Sequence, residues 1–448
     1  MTAGASSQEA LEYERQRLEN IRRNQELLAS LALPKLEKPI LKVIQKPKRP
    51  SEVEVVAQRE EPRKSLRLAK REPQRTELLT LDSLKTKKPV KKSTTTRAKS
   101  EVFIPAEVPS QEFLDLFKNT TQSEPISYPT NYGISDENFT KVMKARIYSL
   151  AIHPGNRPIV AAGGKLGQLA VWDAFNEEKF EGSNESVHSF QPHRLAEQSS
   201  IGALRFSGDK LLWTCYDGSI RSLDLNKGVF KVHFSGDELL YGLDGSQDVW
   251  WYSDAIGNVY RIDLRSATKP ESFLLHSNKI GTVSLGVFNL CTASNERSVS
   301  LWDLRKLQAE DSKPAWNCDM PRAPSSAYLH PTNHSLILST CYDDYLRVHD
   351  TQASSSNLKV YHNCQTGRWI TPFKAIWRPD GNAFACGSMD RCLMEYGLDG
   401  SSRKSSSLLM TSQPAVCAYH PSQGWLASGT GSGKVAIWTD ASKVQNRE

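Results

Sequence analysis

Short runs of alternating apolar and polar residues recur along the second half of the chain, most of them closed by an aspartate. Each run opens with a tight turn of Asp, Asn or Gly and ends on an apolar residue before Asp, as in residues 216–224 (YDGSIRSLD), 257–263 (GNVYRID) and 295–303 (NERSVSLWD). A period of two predicts strands with one buried face. The turn residues mark where the chain reverses direction. The pattern therefore predicts a series of short antiparallel strands.

The runs repeat at intervals close to the roughly 40–45 residues of one blade in WD-repeat proteins. The strand ends are Trp172-Asp173, Leu223-Asp224, Ile262-Asp263, Trp302-Asp303, His349-Asp350, Glu395-Tyr396 and Ile437-Trp438. Further strand ends are expected at His153-Pro154, His330-Pro331, Arg378-Pro379 and His420-Pro421, because proline cannot donate to a ladder. The sequence predicts an all-β, seven-bladed WD-repeat β-propeller. Residues from about 139 to 145 are expected to supply the last strand of the closing blade.

Composition divides the rest of the chain. Residues 8–32 carry Leu and Ile at helical spacing and Pro34 ends the pattern, so residues 1–34 are predicted to form an amphipathic helix that docks on a partner, docks on a second copy or stays exposed. Residues 35–138 are expected to be a basic, mostly disordered linker that cannot offset its ordering entropy. The propeller is predicted over residues 139–441, followed by a short tail over residues 442–448.

Positive charge is concentrated in the first hundred residues, which hold 24 Lys and Arg against 13 Asp and Glu, whereas the remaining residues hold 33 against 37. One stretch is strongly basic, with Lys85, Lys87, Lys88, Lys91 and Lys92 and no acidic residue. Such a run is typical of a nuclear-import signal or of a segment that contacts nucleic-acid phosphates. A solvated linker is the alternative. The nucleus is the expected location.

The sequence contains no arrangement that points to catalysis. We find no Gly-rich phosphate loop, no metal-type His spacing and no paired Cys clusters, and Cys386 with Cys392 fits a blade interior better than a zinc site. No run of about 18 apolar residues predicts a membrane span. We therefore expect a binding platform rather than an enzyme, with no cofactor, no metal, no membrane association and no small-molecule substrate.

Several longer stretches resemble a known family. They are residues 13–21 (YERQRLENI), 200–206 (SIGALRF), 215–224 (CYDGSIRSLD), 290–294 (LCTAS) and 362–369 (HNCQTGRW). Together they resemble the changed-mutation-rate DNA damage-binding proteins and WD repeat-containing protein 76, which are related to the small subunit of the UV-damaged-DNA-binding complex. The resemblance covers the opening helix and nearly all of the propeller, but not the basic tail.

The resemblance implies a nuclear protein that binds double- and single-stranded DNA and prefers UV-damaged DNA. In the related small subunit a Phe-Gln-His hairpin enters the duplex, and alignment puts residues 365–369 at the corresponding loop. The candidate DNA contacts are Gln365, Thr366, Gly367, Arg368, Trp369 and, more weakly, Lys279. The Phe is absent here, and Trp369 is the side chain expected to stack on bases or wedge between them. The alternative is that Trp369 packs between blades.

A second implication concerns two consecutive blade ends with arginine two residues after the closing aspartate. They resemble the box by which WD-repeat receptors bind the large adaptor of cullin-RING ubiquitin ligases. The residues concerned are Asp263, Arg265, Trp302, Asp303 and Arg305. The alternative is a local ion pair in each blade. The functional hypotheses are therefore a DNA-binding propeller, a ligase substrate receptor with chromatin proteins as candidate cargo, or a nuclear protein-interaction scaffold without direct DNA contact.

Overall fold

The computed structural model describes residues 15, 19, 22–23, 101–103, 109–117, 128–174, 187–190, 199–266, 269–353 and 356–442. The chain divides into two compact units, Met1–Val90 and Lys91–Glu448. In the first unit the described residues are Arg15, Glu19, Arg22 and Arg23, all helical and exposed, within the segment predicted to be a helix. The basic tail with Lys85, Lys87 and Lys88 lies outside the described residues.

Within the described ranges the strands of the second unit form seven antiparallel sheets, which confirms the predicted seven-bladed propeller. Blades 1 to 3 contain β4 (Ile147–Ile152), β5 (Ile159–Gly164), β6 (Leu169–Asp173) and β7 (Val187–Phe190); β8 (Ile201–Ser207), β9 (Lys210–Cys215), β10 (Ser219–Asp224) and β11 (Val229–Ser235); and β12 (Leu240–Ser246), β13 (Val249–Asp254), β14 (Asn258–Asp263) and β15 (Glu271–Leu274). A further strand, β1 (Glu101–Phe103), pairs with β11.

Blades 4 to 7 follow the same plan. They contain β16 (Ile280–Leu285), β17 (Asn289–Ser294), β18 (Ser298–Asp303) and β19 (Trp316–Asp319); β20 (Pro324–Leu329), β21 (Leu336–Cys341), β22 (Tyr345–Asp350) and β23 (Ser356–Tyr361); β24 (Ile376–Trp377), β25 (Ala383–Gly387), β26 (Leu393–Gly397) and β27 (Ser402–Ser405); and β28 (Pro414–Tyr419), β29 (Leu426–Thr430) and β30 (Lys434–Asp440). The proline-marked strand ends are confirmed at Ile152, Leu329, Trp377 and Tyr419.

The ring is closed by strands from the two ends of the propeller sequence, which pair with each other in blade 7. β3 (Phe139–Lys141) pairs with β30 and completes blade 7, as the sequence predicts. β2 (Tyr132–Gly133) pairs with the end of the same strand. Just after the inner strand of blade 7, the His420 ring donates from Nε2 to the Gly155 carbonyl of blade 1 at 2.9 Å. Closure protects the strand edges that an open array of blades would expose.

Part of the segment expected to be a linker belongs to the folded body. A short helix, α1 (Gln111–Asp115), begins at Ser110, whose hydroxyl accepts from the Phe113 amide at 3.3 Å. Phe113 is fully buried against Phe117, His188 and Phe190, with ring centroids 5.1–5.3 Å away. The predicted linker boundary at residue 138 is therefore too late, because a few apolar residues in a polar stretch are enough to dock it.

The two faces of the ring differ in the loops that they present. We call the side of the ring on which the inner strand of each blade begins the upper face. The turn between the second and third strands of each blade lies on the same side. In blade 4 this is the end where Ile280 pairs with Ser294 and Ser294 with Ser298. We call the opposite side the lower face, where Asn289 pairs with Asp303. No helix in the described part of the chain is long and apolar enough to cross a membrane.

Candidate functional site

The loop of residues 362–375 crosses the upper face between blades 5 and 6, and its base is fixed by hydrogen bonds. The His362 ring bonds the Tyr396 hydroxyl at 2.8 Å and the Gly387 carbonyl at 2.9 Å. At the other end the Thr371 hydroxyl donates to the Ile147 carbonyl of blade 1 at 2.8 Å. One end of the loop is therefore held by blade 6 and the other end by blade 1.

The tip of this loop presents an indole and a guanidinium to solvent. Trp369 is 78 % exposed and Arg368 is exposed. Gly367 has φ +60°, and a Cβ placed there would meet nothing within 4 Å, so the space above it is open. The alternative that Trp369 packs between blades is wrong. A large exposed aromatic beside a cation is the side-chain pair expected for stacking on bases.

Gln365 and Thr366, which precede Gly367, form hydrogen bonds that hold the loop. Gln365 donates from Nε2 to the Tyr342 carbonyl at 2.9 Å and to the Asp344 carboxylate at 3.1 Å. Thr366 is only 4 % exposed, and its amide donates to the Cys364 carbonyl at 2.9 Å. The expectation that Thr366 contacts DNA is therefore wrong, because its side chain lies beneath the loop surface.

The start of blade 1 adds positive charge beside the tip. Arg146 donates from Nη1 to the Arg368 carbonyl at 3.2 Å. Lys165 is exposed and its amide donates to the Arg146 carbonyl at 2.9 Å, and Lys144 is exposed nearby in the chain. These three residues were not singled out from the sequence, because Arg146 reaches the Arg368 carbonyl only once the ring has closed. The signal that was available is the basic pair flanking residue 145, directly before a predicted inner strand.

A repeated β-bulge shapes the centre of the upper face. The ladder between the inner and second strand shifts register at the same place in blades 1 to 5 and 7. The residues left unpaired by the bulges include Tyr148, Gly202, Tyr241, Gly281 and Ser325, and these line the mouth of the central channel. A bulge re-aims a side chain out of the ladder, so the mouth is built from the second residue of the inner strands.

Lys279 lies in this mouth and not on the exposed rim. Its Nζ stands 3.6 Å from the centroid of the Tyr241 ring, and burial lowers the pKa of Lys279. Lys374 lines the same mouth, where burial, reinforced by Lys279 and Arg205, lowers the pKa of Lys374 to about 8. The structure therefore pairs the predicted cation Lys279 with a second one that the sequence did not single out.

The two arginines of the candidate adaptor box lie on the lower face with the same local geometry. Arg265 binds the Asp263 carboxylate at 2.8 and 3.1 Å, and Arg305 binds that of Asp303 at 2.8 and 2.9 Å. These hydrogen bonds lower the pKa of each aspartate to about 2. The arginine side chains stay 68 % and 66 % exposed. Each aspartate thus holds a guanidinium in place without covering it.

Exposed apolar residues lie beside Arg305. Val287 and Phe288, in the turn between β16 and β17, are 70 % and 55 % exposed. The Arg305 guanidinium stands 5.0 Å from the centroid of the Phe288 ring. Cation and aromatic therefore form one patch on the lower face, a composition enriched at protein interfaces.

Trp302, also expected to bind the adaptor, is a core residue. It is 2 % exposed and its indole donates to the Thr292 hydroxyl at 2.9 Å. The same hydroxyl bonds the His276 ring at 2.8 Å, and the other nitrogen of that ring bonds Glu296. The direct-contact role predicted for Trp302 is wrong, because this chain of bonds holds strands of blade 4 together in the interior.

No group of three or more His, Cys, Asp or Glu that could hold a metal ion occurs among the described residues. Cys386 and Cys392 are buried and free. Burial raises the pKa of each thiol. Both therefore remain protonated near neutral pH, in contrast to metal-binding thiolates.

Comparison with known proteins agrees with the resemblance read from the sequence. The chain is 31 % identical over 350 residues to "DNA damage-binding protein CMR1" of Phaeosphaeria nodorum, a match that covers 68 % of this chain and 66 % of that protein. It is 29 % identical over 328 residues to "WD repeat-containing protein 76" of Xenopus laevis, covering 68 % of this chain and 55 % of that protein. The chain belongs to this family. The match covers less than two thirds of either relative's own length.

The fold of the family is also recognisable at low sequence identity. A chain in the crystal structure of the mitotic checkpoint complex superposes with a TM-score of 0.55 at 15 % identity, covering 72 % of this chain and 97 % of that chain. At this identity the likeness concerns the fold alone. No family model matches the sequence.

Proposed function

We propose that the chain is a nuclear DNA-binding WD-repeat protein that binds double- and single-stranded DNA and prefers UV-damaged duplex. The observation that carries the proposal is the 78 % exposed Trp369 on a loop whose base is anchored to two blades. Trp combines a large apolar ring with an N–H donor and is enriched at recognition surfaces, so an exposed Trp on an anchored loop is a candidate contact. The relative of Phaeosphaeria nodorum is named as a DNA damage-binding protein, which agrees with this use.

The proposed mechanism needs no chemical step. Trp369 wedges between or stacks on bases, while Arg368, Arg146 and Lys165 pair with phosphates on either side. Bases at a lesion are already poorly stacked, so opening them costs less than opening intact duplex. A rigid loop base favours this discrimination because less ordering entropy is lost on binding. The preference therefore comes from the ease of unstacking and not from base sequence.

The test compares two exposed aromatics on opposite faces. Trp369→Ala in the full chain is expected to reduce the ratio of affinities for matched duplexes with and without a UV photoproduct to about one, because stacking contributes roughly 1–3 kcal/mol per base. Phe288→Ala, on the lower face, is the control and should leave the ratio unchanged. Fluorescence anisotropy measures both. An unchanged ratio in Trp369→Ala would refute the wedge, and a parent chain that binds neither duplex would favour a scaffold.

A second candidate function is that of a substrate receptor for a cullin-RING ubiquitin ligase, favoured by the patch of Arg265, Arg305, Val287 and Phe288. Arg265 and Arg305 are exposed with the same local geometry on one face, and exposed Phe288 lies beside Arg305. Chromatin proteins are then candidate cargo for the upper face. The Arg265→Ala, Arg305→Ala double variant should lose co-purification with the ligase adaptor, whereas Trp369→Ala should retain it. Retention by the double variant would exclude this role.

A further inference from the structure

The mouth of the central channel is a recess of about 250 Å³ that opens on the upper face. Four tyrosines, Tyr148, Tyr216, Tyr241 and Tyr342, line it together with Lys279 and Lys374. Below the mouth the channel continues as a cavity of about 440 Å³, which shares Tyr148, Tyr241 and Lys374 with it. The mouth is therefore a walled pocket on the axis of the ring.

The two ammonium groups in this pocket have no carboxylate to balance them. No acidic side chain in the described part of the chain forms a salt bridge with Lys279 or Lys374, and the Lys279 ammonium stands over the face of Tyr241 at 3.6 Å. Arg205, whose charge also acts on Lys374, lies in the cavity below and is itself paired with the Asp244 carboxylate at 3.7 Å. Half-buried like charges repel one another and lose hydration. An anion that enters the mouth would relieve both effects.

The walls add donors for such an anion. Burial raises the pKa of Tyr216, Tyr241 and Tyr342, so their hydroxyls stay protonated and are able to donate. Two of these rings, Tyr216 and Tyr241, also pack against each other, with 4.7 Å between their centroids. Phenolic donors and ammonium groups in one recess form an environment that is selective for a negatively charged group.

The shape of the recess limits what can carry that charge. At about 250 Å³ the mouth itself is smaller than the roughly 300–1,000 Å³ of small-molecule pockets, although it opens into the cavity of about 440 Å³ below it. One face of Tyr241 is covered by Lys279, which disfavours base stacking there. A backbone phosphate of DNA sits between two sugars and is poorly suited to enter a narrow recess. The carboxylate of a Glu side chain, or a phosphate on Ser, stands away from its backbone and reaches inward.

We propose that the channel mouth binds an acidic side chain of a protein partner, a carboxylate or a phosphorylated serine, which pairs with Lys279 and Lys374. The site is separate from the tip formed by Arg368 and Trp369, so it does not depend on DNA binding. The same face then contacts DNA at its rim and a protein at its axis. The shared ligand chemistry is a single anionic side chain on an extended peptide.

The test uses labelled twelve-residue Gly/Ser peptides that carry at the centre Glu-Glu, phosphoserine or Gln-Gln. The full chain should bind the two anionic peptides and not the Gln-Gln peptide, and comparison of the two identifies the preferred anion. Lys279→Gln and Lys374→Gln should each weaken binding about tenfold, the effect of removing one charge-assisted hydrogen bond. Lys279→Arg keeps the charge and should retain most of the affinity.

Matched controls separate this site from the DNA interface. Lys165→Gln, an exposed lysine on the same face, should bind the anionic peptides like the parent, and so should Trp369→Ala. Melting temperatures near that of the parent show that the variants fold. Equal binding of all three peptides would overturn the proposal. Competition by single-stranded DNA for the mouth, with loss of DNA binding in Lys374→Gln, would assign the site to nucleic acid instead.

Discussion

Arg146 donates a hydrogen bond to the carbonyl oxygen of Arg368 at 3.2 Å, joining residues that are more than two hundred positions apart. Arg146 belongs to the segment that leads into blade 1, and Arg368 to the loop between blades 5 and 6. Gly431, in a turn of blade 7, lies close to both segments, since a Cβ placed there would be 3.8 Å from the Trp369 carbonyl oxygen and 4.0 Å from Arg146 Cγ. Closure of the ring therefore sets the position of the exposed tryptophan.

Arg146→Met is expected to reduce discrimination between damaged and undamaged duplex several-fold, because the loop tip loses its support from blade 1 as well as one charge. Lys165→Gln is the matched control, since it removes a neighbouring charge and leaves the hydrogen bond in place. It should weaken binding to both duplexes equally. Fluorescence anisotropy titrations of both variants with both duplexes measure the two affinity ratios. Equal losses of discrimination in both would mean that Arg146 acts only through its charge.

The basic tail is expected to contribute to DNA affinity through electrostatics alone. Replacing Lys85, Lys87, Lys88, Lys91 and Lys92 by Gln in the full chain should flatten the dependence of log affinity on log salt, by up to about 0.9 for each phosphate that is no longer neutralised. The ratio between damaged and undamaged duplex should not change. Trp369→Ala should show the reverse, a changed ratio with the same salt slope. If the five-lysine variant kept the salt slope of the parent, the tail would not contact DNA phosphates.

The fold was predictable because its signal is local and repeated. Asp224, Asp263 and Asp303 each end a third strand in the structure as they do in the repeat pattern. His349 takes the place of tryptophan before such an aspartate and still bonds Ser339 across the strands at 2.8 Å. Trp302 does the same with Thr292. The repeat therefore predicted these positions, although it did not separate a residue that holds a blade from one that contacts a partner.

The site was only partly predictable because it depends on contacts between distant segments. The exposed tip at Arg368 and Trp369 lies in a loop that the sequence pattern located. The supporting Arg146, the buried Thr366 and the second cation Lys374 depend on bulges and ring closure. Those features arise from the packing of inner strands around an axis. A single sequence carries no periodic signal for them.

Phe113→Ala should destabilise the propeller by roughly 3–5 kcal/mol, the usual range for removing a buried Phe. The ring is fully buried among Phe117, His188 and Phe190. Glu112→Ala, on the exposed side of the same helix, should change stability by less than about 0.5 kcal/mol. Urea unfolding of both variants gives the comparison. Equal stability would mean that α1 is not docked in solution.

Stability should also fall on mild acidification. Burial lowers the pKa of His153, His233 and His349 to about 4 from the ordinary value of 6.5. The unfolded chain therefore takes up protons as the pH falls below about 6.5, while the folded chain keeps these rings neutral until about pH 4. The stabilisation is complete above about pH 6.5 and is lost progressively between the two values. Urea midpoints measured from about pH 7.5 to about pH 4.5 should decrease accordingly.

His349 allows the pH effect to be assigned to one residue. Its ring is buried, bonds the Ser339 hydroxyl and lies near Arg347, whose charge further lowers the pKa of His349. His349→Gln can still bond Ser339 but cannot titrate. The variant should therefore lose stability less steeply between about pH 6.5 and about pH 4.5, by up to one proton in the linkage slope. The same slope in parent and variant would show that His349 is protonated in the folded chain near its ordinary pKa, so that burial does not keep it neutral.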